Sequence, residues 1–147
     1  MKKMISVVVM SAAAVASSAA SAGNDILKLP IEGAMVANDA QARLGGSVKF
    51  FFAGQPTPRV ASKIMTDKTS QRTNGFGKSA ERACNYVFLS AMLQLQKRAQ
   101  DLGADAVINI VSNFNNVEFA SATEFECADG ALMAGVALKG DFVKLAK

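Results

Sequence analysis

The residues of this 147-residue chain best suited to chemistry are its two cysteines, Cys84 and Cys127. Redox-active pairs usually stand as Cys-x-x-Cys with a lowered thiol pKa. Here the two are separated by 43 positions, which favours a structural disulfide. Three acids form a second group: Glu124, Glu126 and Asp129. Carboxylates in unlike environments can share acid and base roles, and clustered ones can hold a hard cation such as calcium. A solvated strand face is the simpler reading, so these three are kept only as candidate metal ligands.

Gly75-Phe76-Gly77-Lys78-Ser79 resembles the end of a phosphate-binding loop. That loop needs a further glycine five positions before Gly77, so that backbone amides can wrap the phosphates. The position holds Arg72, and the segment reads instead as a turn with Ser79 capping a helix. The chain has no histidine, which removes the usual general base and most zinc catalysis. We therefore expect a protein that is not an enzyme and uses no cofactor. Of its seven methionines, Met1, Met4 and Met10 lie in the leader described next, and the others show no clustered spacing. Packing accounts for them.

Lys2 and Lys3 precede an apolar run from Met4 to Val15, and Ala20-Ser21-Ala22 supplies small residues at a cleavage site. The pattern is that of a secretory signal peptide cut between Ala22 and Gly23. A membrane anchor would need about 20 apolar residues, and Ser17 to Ser21 are too polar and small. A lipoprotein needs a cysteine just after the apolar run, and the first cysteine is Cys84, so no lipoprotein is expected. The expected location is periplasmic or secreted, with no membrane span after cleavage. Two of the sixteen Lys and Arg belong to the leader, so the net charge falls from +4 to +2 and gives no basis for nucleic-acid binding.

In the mature chain, residues 23–46 form a weakly periodic, partly irregular segment in which Ala37–Leu44 reads as a short helix. Val48 to Phe52 reads as a strand closed by the Gly54-to-Pro58 turn. Part of Val60–Thr73 reads as an exposed strand. A long helix from Ser79 to Leu102 ends at Gly103, with Cys84, Val87, Phe88, Ala91, Leu95, Ala99 and Leu102 on one stripe. Further apolar residues broaden that stripe, so the helix should pack on more than one partner. Ala106–Val111, Thr123–Cys127 and Leu132–Leu138 follow as strands, the last after the Asp129-Gly130 turn. The expected fold is α+β: a mostly antiparallel sheet packed on one long helix, in a β-α-β-β-β core with a single disulfide.

Geometry supports that bond. Cys84 lies roughly 8 Å from the helix start. If the first strand returns to that end and the second leaves it, Cys127 lies roughly 13 Å along the second strand. Both side chains then reach the helix–sheet layer at similar depth. The loop closed would span about 44 residues, and the chain-entropy model gives roughly 4 kcal/mol for it.

The block from Ala83-Cys84-Asn85 to Arg98-Ala99, Leu102-Gly103-Ala104-Asp105-Ala106-Val107, and Thr123-Glu124-Phe125-Glu126-Cys127 with Gly135-Val136-Ala137-Leu138 together carry a resemblance. They are similar to small exported bacterial proteins often labelled "excinuclease ATPase subunit", a label that fits neither the size of this chain nor its lack of a phosphate loop. More distantly, residues 47–147 resemble the RcsF-like envelope-stress lipoproteins and the YbjQ-like proteins, which carry a heavy-metal-binding label. The resemblance implies an α+β domain with Cys84 and Cys127 as its staple, and it brings no catalytic residue. RcsF-like proteins have a lipid anchor and two disulfides, and this chain has one cysteine pair and no lipid site. The expected function is a non-enzymatic envelope binding module with a protein partner, linked to stress sensing. A metal- or small-ligand-binding homo-oligomer is the alternative.

Overall fold

The computed structural model describes residues 25–147, so the expected signal peptide and its cleavage site lie outside the described residues. The elements follow the order β1 (Asp25–Pro30), α1 (Ile31–Val36), a 3-10 turn, α2 (Ala40–Leu44), β2 (Lys49–Phe52), β3 (Val60–Asn74), α3 (Ala80–Leu102), β4 (Ala106–Ser112), a second 3-10 turn, β5 (Glu124–Asp129) and β6 (Met133–Leu145). One six-stranded sheet, mostly antiparallel, packs on α3. The α+β expectation holds, with more strand than the sequence suggested.

The long helix has the ends its sequence calls for. The Ser79 hydroxyl accepts from the Arg82 N–H, and Gly103 closes the helix in the left-handed region that glycine tolerates best. Cys84, Val87, Phe88, Ala91, Leu95 and Ala99 are all buried. Leu89 and Met92 are buried too, because α3 is covered twice: by the sheet on one flank and by the short N-terminal helices on the other. The Gln96 side chain donates to the Leu44 carbonyl and ties α2 to α3. Between helix and sheet the rings of Phe52, Phe88 and Phe125 run in series, with centroids 6.0 and 4.4 Å apart. Among the described residues, no helix is long and apolar enough to cross a membrane.

β6 organises the sheet. β3 takes one edge of it from Val60 to Asn74. β5 and β4 share the other edge, β5 at Ala134–Gly135 and β4 at Leu138–Val143. β1 extends β5 antiparallel, and β2 lies parallel to β4. A one-residue bulge in β4 lies between Ile108 and Val111, and Asn109 there adopts a left-handed backbone with φ of 51°. The bulge turns both Val107 and Ile110 inward against Gly140, where a Cβ would come within 2.7 Å of Val107 Cγ1.

Three expectations need correction. The segment 23–46 is less irregular than its weak periodicity suggested. Asp25–Pro30 pairs with β5 along its length, and Ile31, Ala34, Ala40 and Leu44 join the core. The strand read over Leu132–Leu138 runs from Met133 to Leu145, and Leu132 sits exposed in the turn instead of facing the helix. The direction of β5 also differs from the reading. β4 and β5 are both antiparallel to β6, so β5 does not run back along β4. The polar segment between them reverses the chain twice. A bridge between Ser112 and Phe119 marks the first reversal, and the Ser121 hydroxyl, accepting from the Thr123 and Glu124 amides, marks the second.

Candidate functional site

The cysteines meet. Cys84 and Cys127 form a disulfide with Cα atoms 5.9 Å apart, both side chains fully buried in the helix–sheet layer. It lies in the core as a staple, with neither cysteine exposed to solvent. β5 reaches Cys84 by running on past Phe88, where Phe125 packs at a tilt, toward the start of the helix.

The three acids do not meet. Glu124 and Glu126 occupy one face of β5 opposite Pro30 and Lys28 of β1, while Asp129 ends the strand opposite Asp25. Alternation directs Asp129 to the other face. Among the described residues, no three His, Cys, Asp or Glu side chains gather as a metal site would require. The Gly75–Lys78 segment is a turn: the Lys78 amide donates to the Gly75 carbonyl and Gly77 takes φ of 72°.

The open surface with the most convergent chemistry is one that the sequence did not single out. It is the face of β3 and β6 turned away from α3. Cross-strand register puts Thr66 beside Asp141, Lys68 beside Lys139, Ser70 beside Ala137 and Arg72 beside Gly135. The 3-10 turn Phe114–Asn116 folds over this face, anchored where the Asn113 amide donates to the Ala137 carbonyl at 2.9 Å. Asn115 and Asn116 are consecutive left-handed residues, with φ of 53° and 60°. Between turn and sheet lies an open cleft of about 360 Å³ floored by Lys68, Ser70, Arg72 and Ala137. It runs into a second of about 350 Å³ by Lys139 and Glu118.

The cleft is electropositive. Lys68 Nζ donates to Asn116 Oδ1 at 2.8 Å, and Lys139 pairs with Glu118 at 2.7 Å. Arg72 is exposed and has no carboxylate within ion-pair distance among the described residues. Like charges directly opposite on neighbouring strands are destabilising, so the Lys68–Lys139 pair is a local cost that the Asn116 and Glu118 contacts offset only in part. Such violations tend to mark functional surfaces.

No family model, curated protein or solved structure matches this chain. The surface must therefore be read from its own chemistry.

At the far end of the face the charge is balanced. Asp141 accepts from Thr66 Oγ1 at 2.6 Å and from Asn109 Nδ2 at 3.1 Å, and Lys63 Nζ lies 3.4 Å away. Burial alone would raise its pKa, but the two hydrogen bonds and the Lys63 ammonium together outweigh burial and hold the carboxyl below its ordinary 3.8. Asp141 is thus committed to structure, pinning the β4 bulge to β3. The sequence signal that could have found the cleft is the Lys68 and Arg72 spacing on an alternating strand. Recognising Lys139 as their neighbour requires the β3–β6 register.

Proposed function

We propose that this protein is a non-enzymatic binding module of the cell envelope, and that it holds acidic groups of a protein partner on the outer face of β3 and β6. The observation that carries this reading is the directly opposed Lys68–Lys139 pair with the unpaired Arg72 four residues away. Carboxylates of a partner would relieve the repulsion and complete the charge of the cleft. The Asn115–Asn116 turn gives the site a wall with amide donors and acceptors suited to peptide groups.

The location outside the cytoplasm is supported by the signal-peptide pattern of residues 1–22 and by the Cys84–Cys127 bond, because disulfides persist in oxidising compartments. The motif resemblance carried by Ala83–Val107 and Thr123–Leu138 points to the same setting. The absence of histidine supports binding over catalysis.

A pull-down from envelope fractions tests this. The bait is the mature protein, alongside the Lys68→Glu/Arg72→Glu double variant. A partner retained by the first and lost by the second supports the reading. Equal retention by both, or none by either, overturns it.

A further inference from the structure

The face just described borders an open strand edge. β3 pairs with β6 alone, and among the described residues no other strand pairs with its second edge. From Met65 to Asn74 the pairing is regular, with no register shift. Natural sheets usually shorten, bulge, cover or charge such an edge. The net charge on β3 is cationic, from Lys63, Lys68 and Arg72, which repels basic strands and leaves acidic ones admitted. Here the bulges are confined to the first part of the strand, between Val60 and Met65.

Which backbone groups face outward follows from the hydrogen bonds of β6. The Ala137 carbonyl accepts from Asn113 and the Met133 carbonyl from Gly130, both on the side away from β3. The Gly75 amide, in register with Leu132, bonds across to its carbonyl. In an antiparallel ladder bonded and non-bonded pairs alternate. Ser70 opposite Ala137 and Asn74 opposite Met133 are therefore non-bonded pairs, as are Lys68 and Arg72 between their partners. The N–H and C=O groups of Lys68, Ser70, Arg72 and Asn74 point to the open edge. The Lys68 amide is satisfied locally by Asp67 Oδ1 at 2.8 Å, and Asp67 in turn accepts from Arg98. That leaves the amides of Ser70, Arg72 and Asn74 without a bond among the described residues.

The residues offering backbone groups are the same ones whose side chains form the cationic face. We propose that an extended acidic segment of a partner protein adds to the sheet as a strand along Lys68–Asn74, a specific mode for the binding assigned above, on which it rests. Backbone bonds at Ser70, Arg72 and Asn74 supply register, and side chains select charge. Cross-strand geometry then sets the partner's pattern: one acid opposite Arg72, a small polar residue opposite Ser70, and a second acid opposite Lys68. The motif is acid-x-polar-x-acid, with both acids on the outer face. A second copy of this chain fits poorly, because antiparallel self-pairing centred on Ser70 sets Lys68 against Arg72. Asp67 limits the edge by capping the Lys68 amide.

The test is fluorescence anisotropy with a labelled, end-blocked peptide bearing two glutamates four residues apart and serine between them. Three further peptides are compared: one with lysines for glutamates, one N-methylated at the residues whose amides would face β3, and one N-methylated at the others. On the protein side, Ser70→Pro removes one outward amide and no ladder bond, and Arg72→Glu reverses the selecting charge. The expected result is binding of the glutamate peptide, with at least about tenfold loss from facing N-methylation, from Ser70→Pro and from Arg72→Glu. Methylation of the outward residues should change little. If facing N-methylation leaves affinity intact on the wild-type protein, strand addition is overturned while charge-selective binding survives. If no acidic peptide binds better than its lysine counterpart, both readings fail. Self-association abolished by Ser70→Pro, without peptide binding, assigns the edge to a second copy and overturns the proposal.

Discussion

Lys68 and Lys139 stand directly opposite each other across the β3–β6 ladder, at a non-bonded position where neighbouring strands approach most closely. Each ammonium finds its own local acceptor, Asn116 and Glu118. The Glu118 carboxylate offsets part of the repulsion, Asn116 brings no charge to Lys68, and both partners belong to the segment that walls the cleft.

Replacing Lys68 should therefore separate stability from binding. Lys68→Thr relieves the like-charge pair and suits an edge strand, so urea unfolding should show stability raised by about 0.2–1 kcal/mol. The same variant should bind an acidic peptide more weakly. A loss of both together would mean that Lys68 is structural.

Reduction of the Cys84–Cys127 bond should lower the melting temperature substantially. A link across 43 positions is worth about 4 kcal/mol in the chain-entropy model, a large part of the stability of a small domain. Calorimetry with and without reductant measures it, and an unchanged transition would refute the role of the staple.

Gly140→Ala should destabilise although it adds one methyl group. The new Cβ would lie 2.7 Å from Val107 Cγ1 and 3.2 Å from Ile110 Cγ1, so the β4 bulge would have to shift. Overpacking of this kind costs about 1–3 kcal/mol, readable by denaturant unfolding.

Phe88→Ala removes the middle ring of the Phe52–Phe88–Phe125 series. The site is fully buried between helix and sheet, so a loss of about 3–5 kcal/mol is expected. Near-ultraviolet circular dichroism and chemical unfolding would both report it.

Asp141 gives the protein an acid-side dependence. Its folded pKa lies below the ordinary 3.8, so its contribution is complete well above that value. The contribution falls away as pH drops through the lower folded value and the carboxylate protonates. Asp141→Asn should flatten the loss of stability on that acid limb, measured by unfolding between about pH 5 and 2, and should lower stability at neutral pH.

Local signals made much of the fold legible. The Ser79 cap, the Gly103 stop and the stripe through Cys84, Phe88 and Leu95 are chemistry within one element, and the structure follows them. β1 escaped notice because its pattern is weak alone and is stabilised by pairing with β5, about 100 residues later in sequence. The full length of β3 escaped for the same reason: it is polar on both faces, and its register comes from β6. The Cys84–Cys127 bond is legible from separation and alternation, whereas the direction in which β5 brings Cys127 to it is set by pairing with β6.

By itself, the sequence determined the elements whose reasons are local: the helix and its caps, the strands bounded by turns, and two cysteines placed for a bond. Only the tertiary structure decided which strands are neighbours. Pairing joins residues far apart in the chain and depends on register, which hydrophobic alternation constrains only where a face is buried. The outer face of β3 is solvated and carries no such constraint. For that reason Lys68, Lys139 and Arg72 became one surface, and the edge beside them an open one, only once β6 was in place.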